Sequence, residues 1–135
     1  MKWIWLLLIL FGAPCPLIAQ NSSELSHCLQ NAMTQLKMNE CASEEAKSAD
    51  AELNRVYQQL LSIEKSDSVA MAKIKKAEKI WIAYRDAYIE ATYPDEHKQA
   101  SYGSMYPMET GLLYAKLTRQ HTEALKAIIQ AKTQE

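Results

Sequence analysis

Between residues 35 and 64 the chain has neither Pro nor Gly, and Met38, Cys41, Ala46, Ala49, Leu53, Tyr57, Leu60 and Ile63 recur mostly at steps of three and four. That period gathers them on one stripe and predicts a long amphipathic helix, with Glu40, Glu44, Lys47, Glu52 and Arg55 on the wet side. Ser66, Asp67 and Ser68 interrupt the pattern with residues that favour caps and turns. A second periodic segment follows, in which Ile74, Ala77, Trp81, Tyr84, Tyr88 and Ala91 alternate steps of three and four, the spacing of a helix seam; Pro94 ends it. A third runs from about Met108 to Ala131, with Leu113, Leu117, His121, Leu125 and Ile128 on one stripe. Gly111 in its first turn costs about 1 kcal/mol relative to Ala and predicts an irregular start. Ahead of these, residues 20 to 23 read as a flexible lead-in and 24 to 33 as a short helix with Cys28 and Leu29 inward, and Thr34 can cap the helix that follows. No segment alternates as a strand does. The fold class expected is all-α, a small bundle of three long helices plus a short N-terminal one.

The first residues belong to a different pattern. Lys2, the apolar run from Trp3 to Phe11, the breakers Gly12, Pro14 and Pro16, and the small Ala19 form the order of a signal peptide, with cleavage expected after Ala19. The apolar run is about half of the roughly 20 residues that a membrane-crossing helix needs, so no stable membrane span is expected. Cys15 invites comparison with a lipid-anchored cysteine, but Pro14 and Pro16 flank it where small residues are expected, which argues against lipidation. Residues 1–19 are thus read as a leader and 20–135 as one domain, periplasmic or secreted.

Export matters for the cysteines. Cys28 and Cys41 remain after cleavage, in a compartment that oxidises thiols, and only one pairing exists between them. On one continuous helix 13 residues would span about 20 Å, far beyond the reach of a disulfide, so a pairing requires the chain to turn between them. Two free buried thiols are the alternative; a zinc site would lack nearby histidines.

Charge excludes one function class. The chain carries 15 Lys and Arg against 16 Asp and Glu, a net charge of −1. The loss of Lys2 with the leader makes it about −2. The positive residues neither dominate nor form an arginine-rich stripe, so no nucleic-acid partner is expected. Lys73, Lys75, Lys76 and Lys79 read most simply as a solvated helix face.

The most distinctive stretch is Trp81-Ile82-Ala83-Tyr84-Arg85-Asp86-Ala87, preceded by Asp50-Ala51-Glu52-Leu53-Asn54. Together with Cys41, Tyr57, Gly103-Ser104 and Leu117-Thr118-Arg119, these elements resemble in order the pattern of the LprI-like family, named for a lysozyme-inhibitor lipoprotein. The resemblance spans residues 28 to 128. It departs from the family at a second cysteine pair found in many members, since Tyr88 stands near one of those places and no cysteine follows Cys41. A glycine pair before the serine is also common there, whereas Tyr102 precedes Gly103 here. The motif residues Asp50, Glu52, Asn54, Tyr57, Trp81, Tyr84, Arg85, Asp86 and Arg119 have a structural reading: Arg85 paired two-pronged with Asp50, Asp86 bonded to Arg119 or the long loop, and Trp81 in the core.

No cofactor, metal site or catalytic group is expected. Ser104 has no sequence-evident base, and His27, His97 and His121 lie in three different elements. The resemblance implies a binding module directed at a lysozyme-type muramidase or another envelope protein. Its partner-binding segment is expected in the long loop 94–107 and its edge, where Tyr93, Tyr102 and Tyr106 offer rigid contact area around Gly103 and Ser104 and where Asp95 and Glu96 offer negative charge. A structural or stress-related envelope role without lysozyme binding is the alternative.

Overall fold

A computed structural model describes residues 18–134, all of whose regular elements are helical. They are α1 (Ile18–Asn31), α2 (Gln35–Ile63), α3 (Ser68–Thr92), α4 (Lys98–Tyr102), a 3₁₀ turn at Gly103–Met105, and α5 (Tyr106–Thr133). The all-α bundle of three long helices with a short N-terminal one is therefore the observed architecture. The expected leader, with its cleavage signal and Cys15, falls almost wholly outside the described residues. Two boundaries differ from expectation: residues 20–23 continue α1 instead of forming a lead-in, and the stretch 94–107 holds α4 and the 3₁₀ turn.

The helix starts follow from side-chain chemistry. Thr34 Oγ1 accepts from the backbone N–H of Lys37 at 3.2 Å, and Asp67 Oδ1 accepts from those of Val69 and Ala70, each at 2.9 Å. Pro107 sits in the first turn of α5, where its missing N–H leaves no helical bond unmade. Between α1 and α2 the chain turns at 32–34, and Cys28 and Cys41 form a disulfide with α-carbons 5.8 Å apart. This bridge pins α1 to the first turns of α2.

Cross-helix pairs define the topology. Gly111 lies against Ala42, Arg119 between Glu45 and Glu52, and Lys132 beside Glu64, so α2 and α5 run parallel. A β-carbon on Gly111 would meet Ala42 Cβ at 3.2 Å and its carbonyl oxygen at 3.3 Å. The glycine expected to disturb the start of α5 is instead what lets the two helices touch. Ala42, Ala49, Ala115, Thr118 and Thr122 are buried along the same seam, and Leu53, Val56, Leu60, Leu125 and Ile129 form the core beyond it. Thr122 Oγ1 donates to the Thr118 carbonyl at 2.9 Å, whereas the buried Thr118 hydroxyl has no partner among the described residues.

The antiparallel α3 turns a different face inward than its apolar spacing predicts. Ile74 and Trp81 pack on the core, but the buried residues of α3 are Glu78 and Arg85, while Tyr84 is 57% and Tyr88 44% exposed. The reason is that Arg85 and Glu78 find charged or hydrogen-bonding partners on α2 and α5, which satisfies them inside and rotates the tyrosines of the expected seam to water. Ile63 and Ile128, also expected inward, are exposed at 36% and 44%; Leu61 and Ile129 take the buried places beside them.

Because the disulfide closes a short loop around the α1–α2 turn, Cys28→Ser or full reduction is expected to lower stability by about 2 to 4 kcal/mol. Urea denaturation checks this, and a midpoint unchanged by reduction would count against it.

Candidate functional site

Arg85 is the node where α2, α3 and α5 meet. It is only 7% exposed, and its Nε and Nη2 both donate to Oδ1 of Asp86, at 3.0 and 2.9 Å. Nη1 lies 3.6 Å from Asp50 Oδ1, an ion pair without the two-pronged geometry expected for that partner. Asp50 is instead taken by the Tyr114 hydroxyl, which donates to its carboxylate at 2.7 and 2.9 Å. The guanidinium stands 4.0 Å from the centre of the Tyr114 ring and 5.2 Å from that of Trp81. Two carboxylates and two aromatic faces thus replace the water that Arg85 loses on burial. Burial, and then the hydrogen bond to Asp50, pushes the Tyr114 hydroxyl up to about 12.

One turn away, Trp81 stacks on His121 with centroids 3.9 Å apart and planes 6° apart, and His121 Nε2 lies 2.8 Å from Glu78 Oε2. Among the described residues Asp86 bonds neither Arg119 nor a backbone group of the long loop, the two partners expected for it, because Arg85 occupies it and Arg119 faces another side of α2. There Arg119 donates to Glu45 at 2.7 Å and Glu52 at 3.1 Å, and Lys126 reaches Glu52 at 2.6 Å. The Lys126 hydrogen bond holds the Glu52 carboxyl below its ordinary range. Tyr114, Glu78 and His121 were not among the residues assigned to the site from sequence. The signal for Tyr114 was its place seven residues before His121 and eleven before Leu125, on their stripe.

The α3–α5 connection is folded down on itself. Tyr93, Tyr102 and Tyr106 form a half-buried trio with centroids 5.2 to 5.7 Å apart, two contacts edge-on and one stacked. The Tyr102 hydroxyl accepts from the backbone N–H of Asp95 at 3.0 Å. Asp95 Oδ1 accepts from that of His97 at 2.7 Å, which with the Ser101 hydroxyl holds the Asp95 carboxyl below its usual range. Lys98 bonds Glu90 and the Tyr93 carbonyl. Gly103 has φ 68° and ψ −162°, a conformation open essentially to glycine alone, and the Ser104 carbonyl accepts from Asn39 of α2 at 3.2 Å. Asp95, Glu96 and Met105 remain exposed on this end of the bundle.

Two grooves flank the Arg85 node and share Asp50 and Tyr114. One, of about 530 Å³, lies between α2, the end of α3 and the start of α5, with Ala46, Ile89, Tyr106 and Pro107 in its walls. The other, of about 400 Å³, separates α2 from α3 and is lined by Asn54, Tyr57, Lys75, Lys79, Ile82 and Arg85 among others. The elements of hydrolytic chemistry are dispersed: His27 is on α1, His97 precedes α4, His121 is stacked on Trp81, and Ser104 is tied through its carbonyl. Among the described residues no three His, Cys, Asp or Glu side chains gather as a metal site requires, and no helix is long and apolar enough to cross a membrane.

The molecule is thus a disulfide-pinned, all-helical bundle with a buried arginine node. The family described as lysozyme inhibitor LprI matches residues 26–125, and the chain belongs to that family. It is also 30% identical to an uncharacterised protein of Rhizobium meliloti (strain 1021), across 87% of this chain and 89% of that protein. No solved structure matches it.

Two outcomes follow from the node. Arg85→Ala removes the cation shared by the partly exposed Asp50 and Asp86 and its packing on Tyr114 and Trp81, and is expected to cost about 1 to 2 kcal/mol. Thermal and urea unfolding measure it; wild-type melting would show that Arg85 does not hold the helices together. For Tyr114, the folded protein keeps the proton more tightly than the unfolded chain. Its contribution is therefore fully present below about pH 10 and is lost as pH rises from 10 toward 12. Ultraviolet titration should show one tyrosine ionising last, and Tyr114→Phe should remove that step and flatten the alkaline loss of stability.

Proposed function

We propose that this chain is an exported, non-catalytic binding module that inhibits lysozyme-type muramidases of the cell envelope. The observation that carries this reading is the family match, which covers nearly the whole bundle. In this reading residues 1–19 are a cleaved leader, residues 20–135 form the working domain, and the product resides in the periplasm or outside the cell.

The geometry supports the α3–α5 end as the contact surface. A muramidase works in a cleft on a generally basic surface, and a ligand for it gains from negative charge held in a fixed position. Asp95 and Glu96 provide that charge, and the tyrosine trio with its backbone bonds holds their segment in one conformation, which reduces the ordering cost of binding. The tyrosines themselves act as backing, since they spend much of their area on each other; Met105 supplies exposed apolar contact instead.

That same mutual packing of the trio favours a second reading, a structural envelope protein whose loop simply closes the bundle. Inhibition of a panel of muramidases by the oxidised domain separates the two. Stoichiometric inhibition is expected, weakened about tenfold by Glu96→Lys with Met105→Ala while melting stays unchanged. No inhibition at micromolar protein would assign the structural role.

A further inference from the structure

We propose that the cleft between α2 and α3 is a binding site for an anionic sugar, one that carries a carboxylate or phosphate on its ring. This goes beyond the muramidase reading, which uses the other surface and a protein partner.

The cleft is lined by motif residues whose polar groups the bundle leaves unpaired. Leu53 lies in the core, Trp81 and the ring of Tyr57 pack against it, and Glu52 pairs across α5. Among the described residues, however, neither the Asn54 amide nor the Tyr57 hydroxyl has a hydrogen bond, and both residues line the cleft. Opposite them on α3 stand Lys75 and Lys79. Like Lys65, Lys73, Lys76 and Lys116, they have no ion pair among the described residues, and these two are the ones that line the cleft. The two acids in the cleft are already engaged, Asp50 by Tyr114 and Arg85, Glu78 by His121. The cations of the cleft left without an ion pair are Lys75 and Lys79.

Each unspent group matches one part of an acidic sugar. The Asn54 amide donates and accepts, as neighbouring ring hydroxyls require. The faces of Tyr57 and Ile82 offer an apolar wall to ring C–H groups. The Tyr57 hydroxyl is a donor to a ring oxygen, and burial and then Glu78 raise its pKa above the ordinary tyrosine value. Lys75 and Lys79 supply two mobile point charges for the anion, while the guanidinium of Arg85, the group suited to planar two-pronged recognition, is held by Asp86. A volume of about 400 Å³ falls in the range of small-ligand sites, roughly 300 to 1,000 Å³. The Asp50–Arg85–Tyr114 node fixes the inner end of the cleft.

The test is a titration of the ¹⁵N-labelled, oxidised protein followed by amide shifts, with glucuronic acid, N-acetylmuramic acid, glucose 6-phosphate and neutral N-acetylglucosamine as probes. Saturable shifts around Asn54, Tyr57, Lys75 and Lys79 are expected with at least one anionic sugar, and they should weaken with added salt. Lys75→Gln with Lys79→Gln, both exposed positions, should raise Kd at least tenfold without changing melting, and Asn54→Ala should weaken binding separately. Binding of the phosphorylated sugar alone, or of the carboxylated ones alone, would identify the anion recognised. No saturable shift, equal binding of the neutral sugar, equal binding of acetate or inorganic phosphate, or indifference to the lysine changes would overturn the proposal. None of these outcomes bears on muramidase inhibition, which is read in a separate assay.

Discussion

The close approach of α2 and α5 is the constraint on which the rest of the structure depends. Gly111 against Ala42 brings the two backbones so close that an added methyl would sit 3.2 Å from Ala42 Cβ and force its neighbours apart by a few tenths of an ångström, and Ala49, Ala115, Thr118 and Thr122 continue the seam. Two long helices held this tightly and in parallel oblige the chain to return between them. Antiparallel α3 makes that return, and the segment from Tyr93 to Met105 carries the chain over to α5. α3 has no matching seam of small residues. It meets the pair through Ile74, Glu78, Trp81 and Arg85, whose length holds it away from α2 and leaves a cleft between them.

Charge is divided between the two sides of α2 according to this geometry. On one side Glu45 and Glu52 take Arg119 and Lys126, an ionic edge to the α2–α5 pair that is partly open to water and so contributes modestly. On the other, Asp50 shares Arg85 and Tyr114 in a setting where one cation is almost wholly buried. Arg85 is the desolvated charge of the node, so removal of a carboxylate leaves it short of a partner. Its rigidity also serves both grooves, since Asp50 and Tyr114 form part of each.

The end of the bundle shows how a connection of Pro, Gly and tyrosine becomes an ordered surface. Gly103 supplies a backbone conformation that side chains forbid, Asn39 holds the Ser104 carbonyl, and three tyrosines pack on each other.

Helix existence, approximate boundaries and caps were legible in the residues because they arise from interactions within a few positions of the chain: apolar spacing, Thr34, Asp67 and Pro94 all act locally. The disulfide was legible because, apart from Cys15, the sequence contains only Cys28 and Cys41. The motif residues were visible as types, but their partners were not. Nothing near Arg85 in sequence reveals Tyr114, and nothing near Trp81 reveals His121, because each pair joins different helices. For the same reason the face that α3 turns inward was misread: its own spacing favours Tyr84 and Tyr88, and only partners on α2 and α5 make it cheaper to bury Glu78 and Arg85. The chain alone determined the three long helices; which polar groups could leave water, and hence which residues were left to line the cleft, was decided by the tertiary structure, since desolvation is offset only by partners that folding brings within reach.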